Sequence, residues 1–378
     1  MSKIKNQQFP WRQENAFELM KNGSVFYPKM LQAISQAKSL ILLETYFVES
    51  GEVTSQFIMA LISAANRGVE IFVLFDAMGS RNLSDNDIKL LEDNNINLCF
   101  YHPLRFKFLL DNFYRDHRKL LLVDDNLAFV GGAGLSDRFI GEAYWRDNMV
   151  KIRGAVVFDW HKLFLNNWQK HTKSRIPKNT IRPKNTLFKS LGHVAYSRGY
   201  FLNDIKKNLI KNINTSQSRV WLASAYFVPS LKLRRALYRA ACKNIDVKLL
   251  VPGIKTDNLM SRYIGQGYYN KLLKKGVKIF EYNHHFIHSK VVLVDQWVTI
   301  GSSNLDRWSA KWNLEANQEV RDKEFSNHIC NMFLTDFKNT TEITFSDWKK
   351  RSLTSRLKVF FWKYMARIIA RIGLDGRK

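Results

Sequence analysis

The chain has 378 residues, 46% of them hydrophobic, which excludes a disordered protein and is enough to bury two cores of ordinary domain size. Lys and Arg number 59 against 33 Asp and Glu, and the formal charge of +26 points to a polyanionic partner, either nucleic acid or an anionic bilayer. No stretch reaches the ~18 apolar residues of a membrane span, and the polar residues 1–8 have no signal-peptide core.

In chain order, helical stretches over residues 25–37 and 55–66 alternate with strands, and the second is followed by a Val/Ile-rich run over 67–75. Beyond Cys99-Phe100-Tyr101 comes His117-Arg118-Lys119 with Asp124, followed by the glycine turn Gly131-Gly132. Residues 171–189 are basic, contain Pro177 and Pro183 and show no apolar period, so they read as a linker. Beyond it the same series returns. Residues 222–228 resemble 42–48, residues 243–251 resemble 67–75, and 280–282 align with 99–101. The second copy of the motif is His288-Ser289-Lys290 with Asp295, followed by Gly301-Ser302-Ser303-Asn304. Strands alternating with helices predict an α/β fold of two homologous halves, 1–170 and 190–346, with helices on the faces of the sheet. A basic amphipathic tail follows at 347–378.

Two halves that each end in one motif can bring the motifs together across a pseudo-twofold axis. Each His-x-Lys reads as part of a strand, with the two side chains on one face. One neutral imidazole can act as nucleophile or base while its partner, protonated, acts as acid. Lys119 and Lys290 would hold the non-bridging oxygens of a phosphodiester and offset charge in the transition state. The set is chemically complete without a metal or cofactor. Cys99, Cys242 and Cys330 are odd in number and lack metal-ligand partners, which fits a reducing compartment and no zinc. His284 and His285 have no completing Cys or paired carboxylate nearby and read as site lining.

At these residues the chain resembles the phospholipase D superfamily, and within it the bacterial cardiolipin synthases, closest to the cardiolipin synthase B type without transmembrane helices. The supporting stretches are 42–45, 117–132, Trp145-Arg146-Asp147, and above all 288–319 with Asn313-Leu314-Glu315-Ala316-Asn317. The resemblance implies two phospholipase D-like halves and a covalent phosphohistidine. It makes His117 the nucleophile and His288 the acid and then the base. Lys119, Lys290 and Asn304 would bind phosphate oxygens, with Ser302 in support. Asp147 and Glu315 would each orient the imidazole of the opposite half. Asp124 and Asp295 complete the catalytic motif by spelling but, by the same resemblance, are structural. Where relatives carry Asn after the first glycine pair, this chain has Gly134, so the first half lacks one phosphate-binding amide.

The resemblance implies a phosphatidyltransferase that makes cardiolipin from phosphatidylglycerol and a second phospholipid, phosphatidylglycerol or phosphatidylethanolamine. The alternative is a phosphodiesterase hydrolysing phospholipid or nucleic acid; a non-catalytic basic module is a third reading, opposed by the intact His and Lys of both motifs. The tail favours membrane over nucleic acid. Leu353, Leu357, Phe360, Phe361, Tyr364, Ile368 and Ile372 fall at helical spacing among Lys358, Lys363, Arg367 and Arg371, a pattern suited to an anionic bilayer surface. A helix packed on the protein's own core fits the same spacing. Residues 104–114, an insertion rich in Phe and Leu relative to the second half, read as a lipid entrance or a buried loop. The expected location is the cytoplasmic face of the bacterial inner membrane, held peripherally.

Overall fold

A computed structural model of the chain describes residues 8–103, 111–172, 174, 176, 188–199, 202–307 and 309–375. Its first half runs β1 (Arg12–Lys21), α1 (Gly23–Ser35), β2 (Leu40–Thr45), α2 (Glu52–Asn66), β3 (Glu70–Asp76), α3 (Asp85–Asp93), β4 (Asn97–Tyr101), β5 (Arg115–Asp116), β6 (Lys119–Val123), β7 (Leu127–Gly131), β8 (Asn148–Gly154) and α4 (Val157–His171). The second half opens with β9 (Ser190–Arg198), α5 (Asp204–Asn214), β10 (Arg219–Ser224), β11 (Phe227–Val228), α6 (Leu231–Cys242) and β12 (Asp246–Pro252). It continues with α7 (Leu259–Gln266), α8 (Tyr269–Lys274), β13 (Lys278–Tyr282), β14 (Lys290–Val294), β15 (Trp297–Gly301) and β16 (Leu305–Asp306). Last come α9 (Ser309–Trp312), β17 (Asn313–Arg321), α10 (Lys323–Phe337), β18 (Thr340–Ile343), α11 (Phe345–Lys350) and α12 (Leu353–Asp375).

One sheet runs through both halves. At its centre β1 and β9 pair antiparallel, with Arg12 opposite Gly192 and Asn15 opposite Ser190. Outward from β1 the order is β8, β7, β6, β2, β3, β4, and outward from β9 it is β17, β15, β14, β10, β12, β13, with β18 at the far edge. The two arms repeat the same strands in the same order, so the pseudo-twofold relation passes between β1 and β9.

The strands that carry the motifs are buried on both faces, which is why they read as continuous apolar runs. Leu120 and Leu122 of β6 and Val291 and Leu293 of β14 share one core with Trp160 and Phe164 of α4 and Phe333 of α10. The alternate residues Leu121 and Val123 pack with Phe26 of α1 and Phe57 of α2, while Val292 and Val294 pack with Leu209 of α5 and Leu237 of α6.

The C-terminal segment departs from the single helix read from its periodicity. It breaks after α11, and the Ser352 side chain accepts from the Ser355 amide at 3.3 Å to begin α12. Trp348 of α11 is buried against Tyr269, and α12 docks through Val359, Trp362 and Ala366 beside α7. The other face of α12 exposes Leu353, Leu357, Phe360, Phe361 and Tyr364. The core-packing reading of the amphipathic pattern therefore holds for one face of α12. Among the described residues, no helix is long and apolar enough to cross a membrane. The predicted linker lies mostly outside the described residues, as does 104–110 of the insertion. Phe113 and Tyr114 at the end of that insertion pack on Trp312, at centroid distances of 5.8 and 5.2 Å.

Candidate active site

Each motif crosses from one half to the other just before its strand. β5 pairs in parallel with β17, placing Arg115 opposite Asn313 and Asp116 opposite Leu314. The His117 amide then donates to the Leu314 carbonyl at 3.0 Å, one residue before Glu315. In the second copy, Arg146 bridges Ile287 in parallel and the His288 amide donates to the Arg146 carbonyl at 2.8 Å, one residue before Asp147. The histidines therefore precede β6 and β14 instead of lying in them, a difference from the strand reading that follows from this crossing.

The same crossing sets the side chains. His117 Nδ1 lies 3.0 Å from the Glu315 carboxylate, and His288 Nδ1 lies 2.6 Å from Asp147 Oδ2. A carboxylate can only accept from a neutral imidazole, so Nδ1 carries the proton and each Nε2 keeps its lone pair. Ser302 Oγ donates to Glu315 at 2.5 Å, and the Asn148 amide donates to Asp147 at 2.7 Å. Lys119 Nζ donates to the His117 carbonyl at 2.5 Å. Lys290 Nζ donates to the His288 carbonyl at 2.5 Å and lies 3.1 and 3.2 Å from the two nitrogens of the His288 ring. His117, Lys119, His288 and Asn304 open into one cleft of about 480 Å³. Lys290, folded onto His288, lines a narrow cavity that adjoins it and shares Asn304.

Aromatic rings make this cleft a poor solvent for charge. Tyr46 sits 4.9 Å from the His117 ring, while Trp145, Phe139 and Phe286 surround His288 at 5.4 to 5.7 Å. Burial, reinforced by Lys290 and opposed by Asp147, pushes the His288 imidazole down to about 3. Burial lowers His117 too, against the pull of Glu315. Burial also brings the Lys119 ammonium down to about 7, against Glu315 and with the repulsion of Lys290. Burial alone would raise Asp147, but Lys290 and His288 outweigh it and hold the carboxyl below its usual value. The resting site thus holds two neutral imidazoles, that of His288 on the ionised Asp147 carboxylate, with Lys119 and Lys290 beside them.

Asp124 and Asp295 are not brought to the cleft, although the motif's spelling placed them in the catalytic set. Asp124 accepts from the amides of Lys38, Ser39 and Leu40 at 2.8 to 3.1 Å, tying down the entry to β2. Asp295 does the same for Gln217, Ser218 and Arg219 before β10. Both sit in turns at positive φ, 50° and 52°.

Asn304 is buried, and its Oδ1 has no partner among the described residues. Its repeat counterpart is Gly134, where an added Cβ would fall 2.1 Å from the Phe47 carbonyl oxygen. An asparagine cannot enter there without moving Phe47, which accounts for the departure seen in the sequence. His285 lines a depression adjoining the cleft and stacks on Tyr144 at 4.2 Å, and the cleft lining contains neither His284 nor His285. Sequence reasoning did not single out Arg81, Arg138, Tyr226 or Asp257, all of which line the cleft. Tyr46 and Tyr226 occupy matching places in the repeated strings 42–48 and 222–228, a signal that could have found them. Tyr226 donates to Asp257 at 2.5 Å, a contact between loops that no local pattern announces.

A family profile described as "Cardiolipin synthase, PLD-like domain" matches residues 30–168 and 209–337, most of the chain. The chain belongs to the phospholipase D-like cardiolipin synthase family. Cardiolipin synthase B of Salmonella typhi is 33% identical across 95% of this chain and 88% of that protein. A cardiolipin synthase of Alkalihalophilus pseudofirmus is 32% identical across 90% of this chain and 69% of its own length. The crystal structure of a phosphatidylserine synthase from Haemophilus influenzae superposes with a TM-score of 0.74 at 14% identity, covering 97% of this chain and 96% of that one, and so shares the fold.

The depressed Lys119 has a measurable consequence in this family member. Its ammonium is present below about 7 and lost above it, so the KM for a short-chain phospholipid substrate should rise as pH rises through that value. Lys119→Arg keeps the charge and should flatten most of the rise. An unchanged pH dependence of KM in Lys119→Arg would show that another group titrates.

Proposed function

We propose that the chain is a phosphatidyltransferase that makes cardiolipin from phosphatidylglycerol and a second phospholipid, phosphatidylglycerol or phosphatidylethanolamine. One observation carries this reading: each motif imidazole is oriented by the other half's carboxylate, so both Nε2 atoms serve one cleft. His117 Nε2 attacks the donor phosphorus and forms a P–N bond as the bond to the head-group oxygen breaks. His288, protonated once an anionic phosphodiester is bound beside it, gives its proton to the departing alkoxide. The bound negative charge offsets the burial that holds this imidazole neutral in the empty site. Neutral again, His288 takes the proton from the terminal hydroxyl of phosphatidylglycerol, whose oxygen attacks phosphorus and releases His117. Lys119, Lys290 and Asn304 stabilise the phosphoryl oxygens.

Radiolabelled phosphatidyl donor tests the assignment of roles. His117→Ala should carry no covalent label and lose at least about a thousandfold in cardiolipin formation. His288→Ala should acquire label slowly and retain it, because the incoming hydroxyl has no base. Covalent label in His117→Ala, or equal residual turnover in both variants, would refute the reading, and phosphatidic acid as the main product would make the chain a hydrolase.

The outward face of α12 serves the same substrate surface. Leu353, Leu357, Phe360, Phe361 and Tyr364 stand exposed beside Lys349, Lys350, Arg356 and Lys358, an arrangement suited to an anionic bilayer. Leu357→Glu with Phe360→Glu should weaken sedimentation with phosphatidylglycerol vesicles by at least about tenfold and leave the melting temperature unchanged. Trp362→Ala, on the docked face, should instead lower the melting temperature. Vesicle binding equal to that of the unaltered chain in the double Glu variant would remove α12 from the membrane contact.

A further inference from the structure

A second basic cavity, of about 240 Å³, lies outside the cleft, between the end of α4 and the end of β9. Its lining includes Arg118, Lys170, Arg198, His102 and His171, and no Asp or Glu among the described residues. The cavity is built from the middle of the first motif. Arg118 stands between His117 and Lys119, and its guanidinium turns from the cleft to Asp116 at 3.0 Å and Glu44 at 2.8 Å. Leu314, also in the lining, is the residue whose carbonyl receives the His117 amide. Ser197 sits opposite Glu315 in the sheet register.

The cations here are unequally compensated. Asp116 and Glu44 face Arg118, with Asn167 donating to both at 2.6 and 2.9 Å. No ion pair joins Lys170 or Arg198 to a carboxylate among the described residues. Burial, together with the charges of Arg198 and Arg118, pushes Lys170 down to about 8. Ser197 is 2% exposed, and its Oγ has no hydrogen-bond partner among the described residues. A buried hydroxyl without a partner, beside cations without counter-charges, costs folding free energy that an oxyanion would return. The His171 ring donates from Nδ1 to the Asn167 carbonyl, 2.9 Å away, and so stays anchored at the rim.

We propose that this cavity is a second anion-binding site, taking a phosphate group through Lys170, Arg198 and Ser197. Phosphate offers several acceptor oxygens to charged donors, the combination that gives the strongest hydrogen bonds. The phosphate comes either free in solution or on a lipid head group. The volume suits the head group and not acyl chains.

Two titrations of the full chain by calorimetry test this, one with inorganic phosphate and one with short-chain phosphatidylglycerol kept below its micelle concentration. The unaltered chain should show two sites, the catalytic cleft and this cavity. Lys170→Gln with Arg198→Gln should weaken one of them at least about tenfold and leave the other as it was. Loss in the phosphate titration alone identifies a free-anion site, and loss in the lipid titration identifies a head-group site. Unchanged binding in both titrations overturns the proposal. Crystals of the unaltered chain soaked in tungstate give a check that needs no variant. Anomalous density between Lys170 and Arg198 supports the site, and density confined to the cleft refutes it.

Discussion

The pairing of each motif imidazole with a carboxylate from the other half is the constraint on which the rest of the structure depends. Glu315 and Asp147 are both fully buried, and a buried carboxylate is tolerated only with donors and counter-charges around it. For each carboxylate one partner comes from across the central β1–β9 seam, His117 for Glu315 and His288 for Asp147, beside a donor from its own half, Ser302 and the Asn148 amide. The strand crossings at β5 with β17 and at Arg146 with Ile287 serve this need. They bring two distant stretches of chain to one cleft and keep both Nε2 atoms off the carboxylates.

The two copies solve that problem with different atoms. In one, Ser302 stands before the longer Glu315 and donates to it; in the other, the equivalent Gly132 leaves room for the shorter Asp147. A Cβ at Gly132 would fall 2.5 Å from an Asp147 oxygen, so Ser-with-Glu and Gly-with-Asp are exchangeable only as pairs. Gly134 and Asn304 differ for a similar reason, since the Phe47 carbonyl fills the space that an asparagine would need. The rims diverge as well, with Arg81 in the place that Asp257 takes in the other half. A duplicated fold has thus become an asymmetric site, with Asn304 in the second half and no side chain at the equivalent Gly134.

Much of this was legible in the chain itself because the motif residues are local in sequence and occur twice. The α/β alternation was readable for the same reason that the central strands are apolar throughout: they are covered on both faces. What could not be read was non-local. The aromatic wall around His288 is assembled from Phe139, Trp145 and Phe286, which lie in two halves and share no spacing. The break between α11 and α12 hung on one serine cap inside a run with unbroken helical periodicity. The remote positions of Asp124 and Asp295 followed from turn geometry at positive φ, which the motif's spelling hides.

The pairing across the halves is tested most directly by nitrogen-15 NMR of histidine-labelled protein. His117 and His288 should both rest as the Nδ1-protonated tautomer. Glu315→Gln should then move the His117 ring signals and leave those of His288 nearly in place, and Asp147→Asn should do the reverse. If Glu315→Gln shifted His288 instead, each half would be supporting its own histidine, and if either imidazole rested with its proton on Nε2, its Nδ1 would not be donating to a carboxylate; either result would contradict the shared site described above.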